Sequence, residues 1–250
     1  MLNILKSDFY KLGKSKTFLI CTLLSVGMSL LLVATMTNPE AADMFGEQSG
    51  IGALTGLLAM NAHLQVIAAF VTVFVTLEFR LGTIKNTISR GAGRVQVILS
   101  KFLVSSVASI IILLAFMLTI MLSGTILWGF DPSGIVTISG LIRMLTLQIL
   151  ITIAYTALFT FISIAFRNLA GALVTSFVYV AIFPFILGGL THLFGGGIDF
   201  SRFSLEWAMA NLATLSPAPG DILRGVIIAL IWMAVALEIG MGIFYKRDVK

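Results

Sequence analysis

The sequence predicts an all-α membrane protein with six transmembrane helices, and three observations carry that expectation. Of the 250 residues, 58% are hydrophobic and only 11% are charged, where a soluble domain is about a quarter charged. Mean hydropathy is +1.06; so few charges cannot cover a surface that faces water, but they can cover one that faces lipid. Six apolar stretches then approach the about 20 residues that a helix needs to cross a bilayer core. They are approximately 18–36, 56–77, 102–122, 142–166, 171–190 and 222–244. The polar segments between them are too short to fold separately, so residues 1–250 read as a single membrane domain.

The chain opens on residues 2–17, where Leu2, Leu5, Phe9 and Leu12 follow a helical period and Lys6, Lys11, Lys14 and Lys16 flank them. This pattern predicts an amphipathic helix on the cytoplasmic interface, its bases near anionic lipid heads. The first span follows Lys16 without a cleavage site and is expected to be retained. It holds the single cysteine, Cys21, so a disulfide framework within one chain is excluded. Glu40, Asp43 and Glu47 mark the first outer segment, and the second span carries Asn61, His63 and Gln65. In the connection after it, Ile84 and Ile88 lie four apart, which predicts a short helix burying one apolar stripe. Thr83, Lys85, Asn86, Ser89 and Arg90 are then left for a partner or solvent, with Gly91 placed to end the helix.

Beyond the third span, Asp131-Pro132 signals a turn. Only Arg167-Asn168-Leu169-Ala170 separates the fourth span, with Gln148, from the fifth. The third outer segment, about 191–221, runs through Gly195-Gly196-Gly197 to Pro217-Ala218-Pro219-Gly220. Between these, Phe203, Trp207 and Leu212 at loosely helical spacing predict a short extracellular interfacial helix, with Trp207 at the headgroup level. The sixth span carries Glu238. The small pairs Gly52 with Gly56 and Ala236 with Gly240 would let helices approach closely.

Charge position sets the orientation. Lys6, Lys11, Lys14, Lys16, Arg80, Lys85, Arg90, Arg94, Lys101, Arg167, Lys246, Arg247 and Lys250 fall on one side, 13 bases in all, and Arg143, Arg202 and Arg224, only 3, on the other. The positive-inside rule then places both termini in the cytoplasm of a multi-pass plasma-membrane protein. The bases, 16 against 11 acids, form no nucleic-acid stripe because they lie in short stretches between apolar runs.

No catalytic constellation emerges. Gly13-Lys14-Ser15 resembles the end of a phosphate-binding loop, but Asp8 stands where its first glycine is required. The only histidines, His63 and His192, are far apart, so no metal or other cofactor is expected on this chain. What remains are polar groups inside spans, which are costly in lipid and hence candidates for a substrate path: Asn61, His63, Gln65, Gln148 and Glu238. The amides are expected to hydrogen-bond between helices, and Glu238 to face protein.

Glu78-Phe79-x-x-Gly82-Thr83-Ile84-Lys85-Asn86, then Ser89-x-Gly91-x-x-Arg94 and Ser100-Lys101, resembles the coupling segment of ABC-2 type transporter permeases. The basic N-terminal helix and the ending Phe244-Tyr245-Lys246-Arg247-Asp248 are similar to that family too. The resemblance implies a six-helix permease that pairs with a second permease, identical or related, and with two copies of a separate ATPase subunit that holds ATP and magnesium. The residues it implies for docking that ATPase are Glu78, Phe79, Gly82, Thr83, Ile84, Lys85, Asn86, Ser89, Arg90 and Arg94. In general look the chain is similar to small bacterial permeases that export antimicrobial peptides, including lantibiotic-immunity, bacitracin-resistance and modulin-peptide exporters. That likeness implies export of an amphipathic or hydrophobic substrate. An ion-gradient-driven transporter, which would need charged relays at the midplane, and a non-transporting adaptor or sensor are the alternatives.

The orientation is open to direct test. In a Cys21→Ser background, a membrane-impermeant thiol reagent added outside intact cells should label Ser201→Cys and spare Ser89→Cys; the reverse pattern would overturn the six-helix map.

Overall fold

The computed structural model describes residues 2–38, 48–89, 91, 93–131, 134, 136–194 and 199–246, with backbone alone for Leu2, Lys85 and Lys246. Expectations placed on Glu40, Asp43, Glu47, Arg90, Pro132, Gly195, Gly196, Gly197, Arg247 and Asp248 lie outside the described residues. All regular secondary structure among the described residues is helical. Ten α-helices follow in chain order: α1 Leu2–Lys14, α2 Lys16–Thr35, α3 Gly50–Ala59, α4 Ala62–Arg80, α5 Thr83–Ser89, α6 Arg94–Trp128, α7 Ile138–Phe166, α8 Leu169–Leu193, α9 Leu205–Asn211 and α10 Pro219–Lys246. One 3₁₀ turn, Phe200–Phe203, precedes α9. Six of these, α2, α4, α6, α7, α8 and α10, are long and apolar enough to cross a membrane.

Starts are set by side-chain caps. Ser15, Ser49, Thr137, Asn168 and Ser204 each accept a backbone N–H from the first turn of the helix that follows, which satisfies donors that lipid cannot. The tight turn between α7 and α8 forms at Arg167, φ +56°, with Asn168 as the cap. The stretch expected as one span over 56–77 is instead two helices. Asn61 takes a left-handed conformation, φ +59°, between α3 and α4; asparagine is among the few residues that tolerate this. At ten residues, α3 is about 15 Å long and too short to span. It packs on the far end of α6, which at 35 residues is about 52 Å long and overshoots a hydrocarbon core of about 30 Å.

Packing places α7 at the centre, enclosed by α4, α6, α8, α9 and α10. The α7–α10 contact uses small residues as expected: Ala236 lies buried with Ala157 and Phe102, and Gly240 sits over Phe161. The pairing expected of Gly52 with Gly56 is taken instead by Gly50 and Gly124, where α3 meets α6. α9 also departs from expectation. Leu205, Ala208, Met209 and Leu212 are its fully buried face, and Phe203 is exposed. Trp207 is half-buried with the Arg224 guanidinium 5.5 Å from its ring. The segment is therefore tucked into the bundle rather than resting on an interface, and burial there pushes the Glu206 carboxyl up to about 7.

A Cβ at Gly50 would meet Thr125 Oγ1 at 2.5 Å and the Thr125 backbone nitrogen at 3.1 Å, whereas one at Gly27 meets nothing within 4 Å. Gly50→Val should cost about 1–3 kcal/mol through overpacking. A melting curve of the detergent-solubilised protein should show the loss for Gly50→Val and none for Gly27→Ala.

Candidate coupling site

At the end of the bundle that carries both termini, three helices meet through buried charge. Lys101, about two turns into α6, is 3% exposed. An ammonium cannot remain there unpaired. Its Nζ lies 2.6 Å from Asp8 Oδ1 of α1 and 2.6 Å from Glu78 Oε1 of α4. The Phe74 ring lies beside it, 5.4 Å from Nζ to the centroid. Ser100 donates its hydroxyl to Asp8 Oδ2 at 2.7 Å. Lys11, one turn beyond Asp8, donates to Glu78 Oε1 at 2.9 Å and lies 3.6 Å from Asp8 Oδ1. Two cations and two carboxylates thus alternate in a closed ring of zero net charge. Burial alone would lower the Lys11 pKa, but Glu78, and then Asp8, more than offset this and hold it above the ordinary lysine value. The stabilisation from Lys11 is therefore complete through neutral pH and fades only as pH rises through that raised value.

The ring seats the N-terminal helix. The buried face of α1 comprises Ile4, Leu5, Asp8 and Leu12, while Phe9 is exposed. The expected apolar stripe therefore holds at Leu5 and Leu12 and turns away at Phe9, because Asp8 occupies the centre of the face.

From Glu78 the chain passes directly into the predicted docking segment. Gly82, φ +66°, turns it, and Thr83 donates its hydroxyl to the Glu78 carbonyl at 3.2 Å. α5 then buries Ile84, with Ile88 packed partly behind it, so both isoleucines lie back against the bundle. Asn86 and Ser89 are exposed, Thr83 and Thr87 half-buried. Gly91, φ +90°, closes the helix by donating its N–H to the Ile88 carbonyl at 2.9 Å.

A second junction begins at Phe79, the residue after Glu78. Phe79 packs edge-on against Phe244 of α10, centroids 6.1 Å apart, and the Arg167 guanidinium stands 5.8 Å and 5.9 Å from those two rings. Arg94, which opens α6, donates to the Tyr245 carbonyl at 2.8 Å and lies 3.5 Å from that of Phe244. The ends of α1, α4, α6, α10 and the α7–α8 turn are thus joined through residues that flank α5, Glu78 and Phe79 before it and Arg94 after it.

The polar residues expected inside the spans divide. Asn61 and His63 are buried, with Asn61 Oδ1 and both His63 ring nitrogens lacking a hydrogen-bond partner among the described residues. The His63 ring lies against Phe116 at 5.1 Å. Gln148 donates Nε2 to the Met209 carbonyl at 3.0 Å, tying α7 to α9. Gln65 and Glu238 are exposed, against expectation. Each lies two positions, about 200° around the helix, from a residue that faces inward, His63 and Ala236 respectively. Among the described residues no group of acids, histidines and cysteines could hold a metal ion. The ring partner that sequence reasoning missed is Asp8. Its signal was a lone acid on the apolar stripe of a basic helix.

Residues 4–183 match the family model described as ABC-2 family transporter protein, a span that takes in α1 through most of α8. No curated protein matches the chain.

Because removing one partner of a buried ion pair costs about 3–5 kcal/mol, Lys101→Met should melt well below wild type. The triple variant Asp8→Asn, Glu78→Gln, Lys101→Met carries no buried charge and should recover most of that loss. Thermal denaturation of the three proteins in one detergent checks it.

Proposed function

The chain belongs to the ABC-2 transporter family, whose permeases carry no ATPase of their own, and we propose that it is the permease of an ATP-driven exporter whose separate ATPase subunit pushes on α5. The supporting observation is the junction itself: α5, exposed on Asn86 and Ser89, lies between Glu78 and Phe79 before it and Arg94 after it, the residues that join the ends of α1, α4, α6, α10 and the α7–α8 turn. A displacement of α5 reaches α1 and α6 through Glu78, and α10 and the α7–α8 turn through Phe79. Glycines with positive φ at both ends let α5 tilt as a unit.

In this reading the basic end is cytoplasmic, two ATPase copies dock there, and a second permease, identical or related, completes the transporter. Glu78, Phe79, Gly82, Thr83, Ile84 and Arg94 transmit the push, while Lys85, Asn86, Ser89 and Arg90 face the ATPase. The cargo is an amphipathic or hydrophobic molecule, of which an antimicrobial peptide is the leading class. Its transport requires that it bind the inward-facing and outward-facing states with different affinity. Asn61, His63 and Gln148 are buried between helices and shape that path.

Truncating one partner of a buried interfacial charge pair typically costs about 2–5 kcal/mol, and a rim contact much less. Lys85→Ala with Arg90→Ala should leave the permease inserted and folded but weaken capture of its ATPase in pull-down and lower transport. Lys6→Ala with Lys250→Ala removes equal charge from the same end. Identical behaviour of the two double variants would reduce the segment to a topological signal.

A further inference from the structure

The turn between α1 and α2 stands at the mouth of a groove that the coupling reading does not use. Three lysines surround this turn. Lys11 is consumed by the charge ring, whereas Lys14 and Lys16 are exposed and make no ion pair among the described residues. Ser15 between them accepts the Phe18 N–H, and its own hydroxyl hydrogen has no acceptor among the described residues. Lys14, Ser15 and Lys16 line a cavity of about 660 Å³ whose deeper wall is apolar, formed by Phe18, Leu19 and Ile111. Through Ile20 and Leu23 it runs into a second, almost wholly apolar hollow of about 910 Å³ along α2, where Gly27 leaves the floor open. The walls are exposed leucines and isoleucine up to Leu31. From Ile20 to Leu31 is about 16 Å of helix, roughly one leaflet of a hydrocarbon core.

We propose that this groove is a binding site for an anionic phospholipid, its phosphate held by Lys14, Ser15 and Lys16 and an acyl chain lying along α2 over Gly27. The unbalanced positive charge sits only at the end where a headgroup would be, and the remainder offers apolar surface, so the charge pattern of the groove is that of a lipid in reverse. A second copy of this chain fits it less well, because the same end of that copy is also rich in bases. The mouth adjoins a smaller cavity of about 350 Å³ shared by Lys16, Glu78 and Thr83. A lipid bound here would therefore touch the wall of the coupling junction.

The site is tested on the full-length, delipidated permease without any ATPase, so its outcome is independent of the transport reading. Native mass spectrometry is run with phosphatidylglycerol and phosphatidylcholine of identical chains. Wild type should retain phosphatidylglycerol preferentially. Lys14→Gln with Lys16→Gln should weaken that binding about 30-fold, as expected for two lysines near a headgroup, and leave phosphatidylcholine unchanged. Lys6→Gln should leave both unchanged. Gly27→Leu, at a position where a Cβ meets nothing within 4 Å, puts a side chain into the hollow and should weaken both lipids while preserving the monomer–dimer ratio. Glycerol 1-phosphate should not compete, because a free phosphate lacks the chain. Equal retention of the two lipids, an effect of Lys6→Gln as large as that of the double variant, or competition by glycerol 1-phosphate would each overturn the proposal. So would a Gly27→Leu change that shifts only the monomer–dimer ratio, since the groove would then belong to a second permease.

Discussion

An ammonium group buried at the end of a membrane bundle must be met by carboxylates, and Lys101 imposes that condition on everything around it. Its two partners come from different helices, Asp8 on α1 and Glu78 on α4. Neither helix can move away without exposing a charge to an apolar surrounding, at a cost of several kcal/mol. α1 has 13 residues, a length at which an isolated helix is marginal in water. Its position follows from Asp8 and the leucines beside it, more than from its own propensity. A buried ion network of this kind is weak evidence of stability, since apolar replacements of similar volume often do as well. What it secures is register: only one arrangement of α1, α4 and α6 brings all four charges together.

That register governs α5. Glu78 lies in the last turn of α4, just before the connection to α5, and it carries two jobs at once. Its carboxylate closes the ring, and its backbone carbonyl receives the Thr83 hydroxyl. Movement of α5 therefore cannot be absorbed in a slack linker, because three residues, Arg80, Leu81 and Gly82, are all that separate Phe79 from Thr83. Next to Glu78, Phe79 packs edge-on against Phe244, with the Arg167 guanidinium beside both rings.

Much of this architecture was legible in the residues. Hydropathy alone marked six spans, and the Ile84–Ile88 spacing marked α5, because lipid demands long apolar runs and a connecting helix demands a stripe. The failures have physical reasons. α3 and α4 are both apolar, so a hydropathy window runs across the break that Asn61 makes in the backbone. Gln65 and Glu238 were assigned inward positions because charge and amide are costly in lipid, but helical geometry puts them opposite His63 and Ala236. α9 shows the reverse error. Its inward residues Leu205, Ala208, Met209 and Leu212 have clear helical spacing, yet the large aromatic residues Phe203 and Trp207 drew the face elsewhere. Asp8 was hidden because a pairing across 93 residues, to Lys101, leaves no local periodicity.

The distribution of buried polar groups also bears on how energy enters the molecule. A transporter driven by an ion gradient needs titratable groups in succession through the membrane. Away from the basic end, the fully buried polar residues among those described are hydroxyls and amides, such as Ser105, Ser109, Gln148, Thr152 and Thr160, with His63 as the one imidazole, while the half-buried Glu206, its carboxyl pushed up to about 7, lies on α9 outside the six long helices. Hydroxyls and amides can bind or orient a passing molecule, but they cannot carry a changing charge at ordinary pH. The carboxylates and ammonium groups that are buried lie together beside α5. Those charges are paired to zero and locked by hydrogen bonds, an arrangement suited to bearing force between helices rather than to exchanging ions. The point at which those charges meet, beside α5, is also where α1, α4 and α6 are most firmly joined.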